Sequence, residues 1–164
     1  MMVGEQPGDR EDLAGRPFVG PAGMLLRRAM TDAGLDPAAI YLTNVVKHFK
    51  FELRGKRRMH KTANAAEQAA CRQWLDAELE RVRPSVVVCL GATAAKALLG
   101  RSFSVLRQRA QWLAFGNGAF AFATVHPSML LRMPDADRER GYQEFVRDLR
   151  ALAAGPPASA GPAK

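Results

Sequence analysis

Residues 85–100 read "SVVVCLGATAAKALLG", and their reading decides the fold class. A near-continuous apolar run ends at Leu90, Gly91 follows, and a helical pattern begins without a linker. A strand that is apolar at nearly every position suits a sheet covered on both faces, which is the habit of parallel sheets. Three further segments share this character: "MMV" at 1–3, "AIYLTNVV" at 39–46 and "AFAFATVH" at 119–126. Helical patterns separate them. "PAGMLLRRAMTDAGL" runs from Pro21, a good first-turn residue, to a stop at Gly34. "NAAEQAACRQWLDAELERV" at 64–82 has Asn64 as N-cap with Glu67 three residues on. "DADRERGYQEFVRDLRALAAG" closes the pattern. Strands alternating with helices give an α/β class: a three-layer α/β/α domain over residues 1–154, with a four-stranded, mainly parallel sheet. Residues 155–164, "GPPASAGPAK", are low in complexity and are expected to form a disordered tail.

At 164 residues the chain is large enough for one domain with its own core. Its 24 Lys and Arg outnumber 16 Asp and Glu, a formal charge of +8. Such a surplus favours a polyanionic partner, most simply nucleic acid, although it also serves solubility. Cys71 and Cys89 are the two cysteines; they form neither a CxxC pair nor a disulfide framework, so a reducing, cytoplasmic setting is expected. No apolar run approaches the length of a membrane span, and no signal-peptide pattern opens the chain.

In a parallel α/β domain the functional site gathers at the carboxyl ends of the strands. That rule selects "GEQPGD" at 4–9, "NVVKHF" at 44–49, "GATA" at 91–94 and "HPSMLLR" at 126–132. Of the three histidines, His48 and His126 fall in these segments and His60 lies in the basic stretch that continues from the second; Pro127 fixes the backbone after His126. Asn44 offers an amide suited to the edge of a base, or caps the strand end. Phe18, between Pro17 and Gly20, stacks on a flat ring or fills a small satellite core. Glu5, Asp9, Glu11 and Asp12 form a carboxylate cluster that would repel DNA unless it serves chemistry or orients basic groups. Residues 47–61 hold seven Lys and Arg against one Glu. They read as a phosphate-gripping loop or as an exposed insertion. A phosphate- or nucleotide-binding domain fits "GEQPGD" but explains neither His126 nor the basic loop.

Taken together, "GEQPGD", "PFVGPAG", "TNVVKHFKF", "GKRRMHK", "LGATAAKALLG" and "TVHPSMLLR" resemble the uracil-DNA glycosylase superfamily over about residues 2–150. The likeness is to family 4 and its covalently trapping relative, UdgX, whose KRRIH signature "KRRMH" resembles. The resemblance implies uracil-containing DNA as partner, single strands accepted, and a monomer. It implies that the base is flipped into a pocket. There Phe18 stacks on uracil, the Gln6 region contacts it, Asn44 reads its edge and His126 stabilises the departing uracilate. It further implies that His60 captures the sugar, with Glu5 orienting the imidazole or steadying the sugar cation. Lys56, Arg57 and Arg58 would keep that imidazole neutral by like-charge repulsion. Lys47, Lys56, Arg57, Arg58, Ser128 and Arg132 are expected at the DNA. An ordinary turnover glycosylase is the alternative, and a fragment binding DNA non-specifically is another. Family members carry a [4Fe-4S] cluster. Cys71 matches one of its cysteines and His48 stands at the place of another. The CxxC pair expected upstream of the first strand is absent, so the chain reads as N-terminally truncated and without an intact cluster.

Overall fold

The computed structural model describes residues 1–116 and 118–157. The expected tail therefore falls largely outside the described residues. A five-stranded sheet forms the centre. Strand β1 (Met2–Gly4) pairs in parallel with β2 (Leu42–Asn44) on one side and with β5 (Val86–Leu90) on the other. Next to β5 lies β7 (Ala119–Thr124), also parallel, and the edge strand β6 (Trp112–Phe115) runs antiparallel to it. The order is β2-β1-β5-β7-β6. Val87, Val88, Cys89 and Leu90 are all buried, as the unbroken apolar run implies for a strand covered on both faces.

Helices cover the sheet in a three-layer arrangement. The set α2 (Pro21–Asp32), α6 (Pro127–Leu131) and α7 (Asp135–Ala153) packs together. Helix α4 (Ala92–Leu99) lies against β1 and β5, and Arg72 on α3 (Ala65–Val82) donates to the Ala97 carbonyl of α4. Helix α3 starts on the capping box read from its sequence: the Asn64 side chain accepts from the Glu67 N–H, and the Glu67 carboxylate accepts from the Asn64 N–H.

Three expectations need correction. The sheet has five strands, not four. "WLAF" is a short apolar run without alternation, and it becomes a strand because Trp112 packs edge-on against Phe120 and Phe122, at 5.9 and 5.3 Å. Strand β2 spans three residues rather than eight, since Pro37–Ala39 form a 3-10 turn capped by Asp36. Finally, much of the basic segment is no loop. Phe51–Arg54 (β3) and Arg57–His60 (β4) pair as an antiparallel hairpin across Gly55 and Lys56, with Gly55 at φ 61°.

The chain leaves β1 for β2 on one side and later enters β5 on the other. The order thus reverses at β1, the topological switch point where α/β sheets open a crevice.

Candidate active site

A cavity of about 890 Å³ opens at that crevice. Its wall includes Glu5 and Gln6 after β1, Asn44 at the end of β2, Thr93 after β5, His126 after β7, and His60 from the hairpin. Glu5, Gln6, Asn44, Thr93 and His126 converge because each sits at or just past the carboxyl end of a strand of the central sheet, and the hairpin brings His60 to them. Two glycines clear the floor. A Cβ on Gly4 would stand 2.5 Å from Asn44 Oδ1 and 2.7 Å from Phe18 Cζ. At Gly91 the backbone has φ 88°, a region L side chains rarely adopt, and a Cβ would meet the His126 Cβ at 2.8 Å.

Phe18 is buried and held at φ 54°, an uncommon conformation for a non-glycine residue that aims its ring into the site. The ring stacks near His126, with centroids 6.0 Å apart and planes 25° from parallel. Asn44 is buried as a residue, and it lines the cavity. Gln6 donates from Nε2 to the Lys50 carbonyl at 3.2 Å, which ties β1 to the root of the hairpin, while its Oε1 is buried and unpartnered.

His126 caps helix α6. The Ser128 N–H donates to its Nδ1 at 3.1 Å, and the Ser128 hydroxyl lies 2.9 Å from the same nitrogen. A backbone N–H can only donate, so Nδ1 accepts and the neutral ring carries its proton on Nε2. Burial, then the positive charge of Arg132 and of His60, pushes the His126 pKa down to about 4. At neutral pH the residue is therefore an uncharged donor fixed in one tautomer.

Glu5 has two differently treated oxygens. Oε2 accepts from the Thr93 hydroxyl at 3.0 Å, whereas Oε1 is buried without a hydrogen-bond partner. His60 Nε2 lies 3.7 Å from Oε1. That imidazole is half exposed and tilts over Phe49, ring centroids 6.3 Å apart. Thr93 was not singled out in the sequence; "GATA" marked its loop but not its role.

The expected DNA contacts divide into two groups. Lys56 and Arg57 are exposed on the hairpin and make no ion pair among the described residues, and Arg132 is exposed on the cavity wall. Lys47, by contrast, is turned inward. Its ammonium donates to Thr43 Oγ1 and the Asn44 carbonyl at 2.8 Å each and to Glu78 at 2.6 Å, so its three protons are spent on the protein. Arg58 is likewise engaged. Its guanidinium pairs with Asp9 at 2.5 Å and Asp12 at 2.7 Å and lies over the Phe49 and Phe51 rings. These two were expected to grip phosphate; the first braces Asn44 and the second clasps the hairpin to helix α1 (Asp9–Ala14). The carboxylates at the chain start thus orient a basic group. Ser128 points its hydroxyl at His126 from the first turn of α6.

A [4Fe-4S] cluster needs four ligands, ordinarily thiolates. Cys71 is buried on α3 and His48 is exposed after β2. No group of three or more His, Cys, Asp or Glu side chains able to hold a metal stands together among the described residues. The residues present do not fit the cluster. Cys89 is buried in β5 with its thiol pushed up to about 12 by burial, a core side chain. Among the described residues no helix is long and apolar enough to cross a membrane.

Comparison with known proteins shows the family. A Type-4 uracil-DNA glycosylase of Thermotoga maritima is 39% identical over 153 residues, covering 93% of this chain and 76% of the relative. Enzymes of the same name from Pyrobaculum aerophilum and Archaeoglobus fulgidus are 34% and 33% identical, covering 91% and 90% of this chain and 74% and 73% of their own lengths. Residues 1–150 match the uracil DNA glycosylase superfamily, and the chain belongs to it.

Proposed function

We propose that the protein excises uracil from DNA and is then captured on the exposed sugar through His60, as in the UdgX branch that "KRRMH" resembles. In this reading single-stranded DNA is accepted and the protein acts as a monomer. A flipped uracil enters the cavity, stacks on Phe18 and presents its edge to Asn44. The bond between C1′ and N1 breaks with its electron pair passing to the base. The Nε2–H of His126 donates to the developing uracilate oxygen, a donor preorganised by Ser128. The sugar is left short of electrons. One imidazole nitrogen of His60 forms a new bond to C1′, and the proton on the other is taken up by the free oxygen of Glu5.

One observation carries the capture step: His60 Nε2 stands 3.7 Å from a buried, otherwise unpartnered carboxylate oxygen at the mouth of the cavity. A second reading is supported by the Type-4 relatives. In it the same oxygen orients a water, and the enzyme turns over to leave an abasic site. Incubation with a labelled single-stranded oligonucleotide carrying one uracil, followed by a boiled denaturing gel, separates the two. A heat-resistant shifted band, dependent on uracil and lost in His60→Ala, is the expected result. Alkali-labile strands without a shifted band would establish turnover and remove His60 as nucleophile.

A further inference from the structure

Glu11 fastens both ends of the loop that carries Phe18. Its carbonyl accepts from the Gly15 and Arg16 N–H groups, where α1 ends. Its carboxylate Oε1 accepts from the Gly20 N–H at 2.7 Å, where α2 begins. We infer that Glu11 is a positioning residue: it sets the ring of Phe18 against the flipped base, and excision depends on it through that ring. The inference rests on the glycosylase reading above.

Three carboxylates stand on α1, and they are not alike. Asp9 and Asp12 are exposed and pair with Arg58. Glu11 is half-buried and pairs with no cation among the described residues. Its place is made by glycines: a Cβ on Gly8 would stand 2.7 Å from Oε2, and a Cβ on Gly20 would stand 3.0 Å from Oε1. Helix α2 opens on Gly20 with no side-chain cap and no acidic residue in its first turn. The carboxylate from α1 therefore supplies the negative charge that the positive end of a helix favours.

The loop needs such a hold. Phe18 sits at φ 54°, a conformation that persists only where the surroundings enforce it. On one side the Phe18 carbonyl lies so close to Gly23 of α2 that no Cβ fits there. On the other, Glu11 holds Gly20, two residues beyond Phe18. Between these two restraints the ring is aimed at the floor beside Gly4 and stacks near His126. A ring that must lie flat on a base tolerates little displacement, and small misplacements cost rate steeply.

The test is a mutant cycle between Glu11 and Phe18. It is read as the single-turnover excision rate on a single-stranded oligonucleotide carrying one uracil. Glu11→Met keeps the length of the side chain but loses the acceptor, and is expected to slow excision about tenfold. Phe18→Leu should slow it as well. The double variant should be no slower than Phe18→Leu alone, because both changes act through one ring. Glu11→Gln keeps an acceptor at the same reach and should recover most of the rate. Glu11→Asp keeps the charge but falls short of Gly20, and should lose as much as Glu11→Met; it also serves where Glu11→Met does not fold. Losses that multiply in the double variant would overturn the assignment. So would Glu11→Met, Glu11→Asp or Phe18→Leu as fast as wild type, or Glu11→Gln as slow as Glu11→Met. A wild type inert on the uracil strand would overturn the glycosylase reading itself, and this inference with it.

Discussion

His126 shows how one side chain is tuned by what surrounds it. The Ser128 N–H fixes its tautomer, and burial holds its pKa near 4 against 6.5 for an ordinary histidine. The linkage follows from that difference. The unfolded chain binds a proton near pH 6.5 that the folded chain refuses until about pH 4, so the native state loses stability as pH falls through this window. Each unit is worth about 1.4 kcal/mol. Urea unfolding should therefore show a loss of about 2 kcal/mol from this group between pH 7 and pH 5. His126→Gln should flatten that part of the slope, and a slope unchanged in the variant would contradict the assignment. The sequence singled the residue out because a histidine before Pro127 at a strand end of such a fold is more often a site residue than a core one. The roles of Lys47 and Arg58 were not legible. Charge composition cannot tell a lysine that meets phosphate from one whose ammonium is spent on Thr43, Asn44 and Glu78.

The hairpin β3–β4 is the element on which the proposed capture step depends. Its register sets Phe51 opposite His60 and Leu53 opposite Arg58, so the clasp on Asp9 and Asp12 and the imidazole over the cavity lie on one face of a two-stranded ribbon. An isolated hairpin is marginally stable at best, which makes such tethers decisive. Arg58→Gln should leave uracil excision within a few-fold of wild type but lower the crosslinked fraction several-fold. Alkali-labile strands scored beside the shifted band on the same gel would show this. Equal loss of both signals would mean that the clasp supports the whole site rather than His60. Its sequence carried a usable signal, two four-residue segments about a two-residue turn beginning with Gly55, and the density of positive charge concealed it.

Across the whole molecule the charge of +8 is distributed unevenly once pairing is counted. Lys47, Arg58 and Arg109 are held by carboxylates, while Lys56, Arg57 and Arg132 are exposed and form no ion pair among the described residues. Three phosphate contacts on a single strand give a log–log salt slope of about −2. Binding to a uracil-free oligonucleotide, followed by fluorescence anisotropy, should then weaken about fifteenfold between 50 and 200 mM salt. A slope near zero would rule out phosphate contact by these residues.

The class of the fold and the place of the site follow from local chemistry. Unbroken apolar strands, each followed by a glycine, an asparagine or a histidine, require a covered parallel sheet and put their polar ends together, whatever the remaining details. The fifth strand, the hairpin, the clasp of Arg58 and the brace of Lys47 depend on which distant residues meet. Trp112 becomes part of a strand only beside Phe120 and Phe122, and a cation is free or spent according to the carboxylates that folding brings within 3 Å. Such pairings join residues tens of positions apart, so they have no local pattern to announce them.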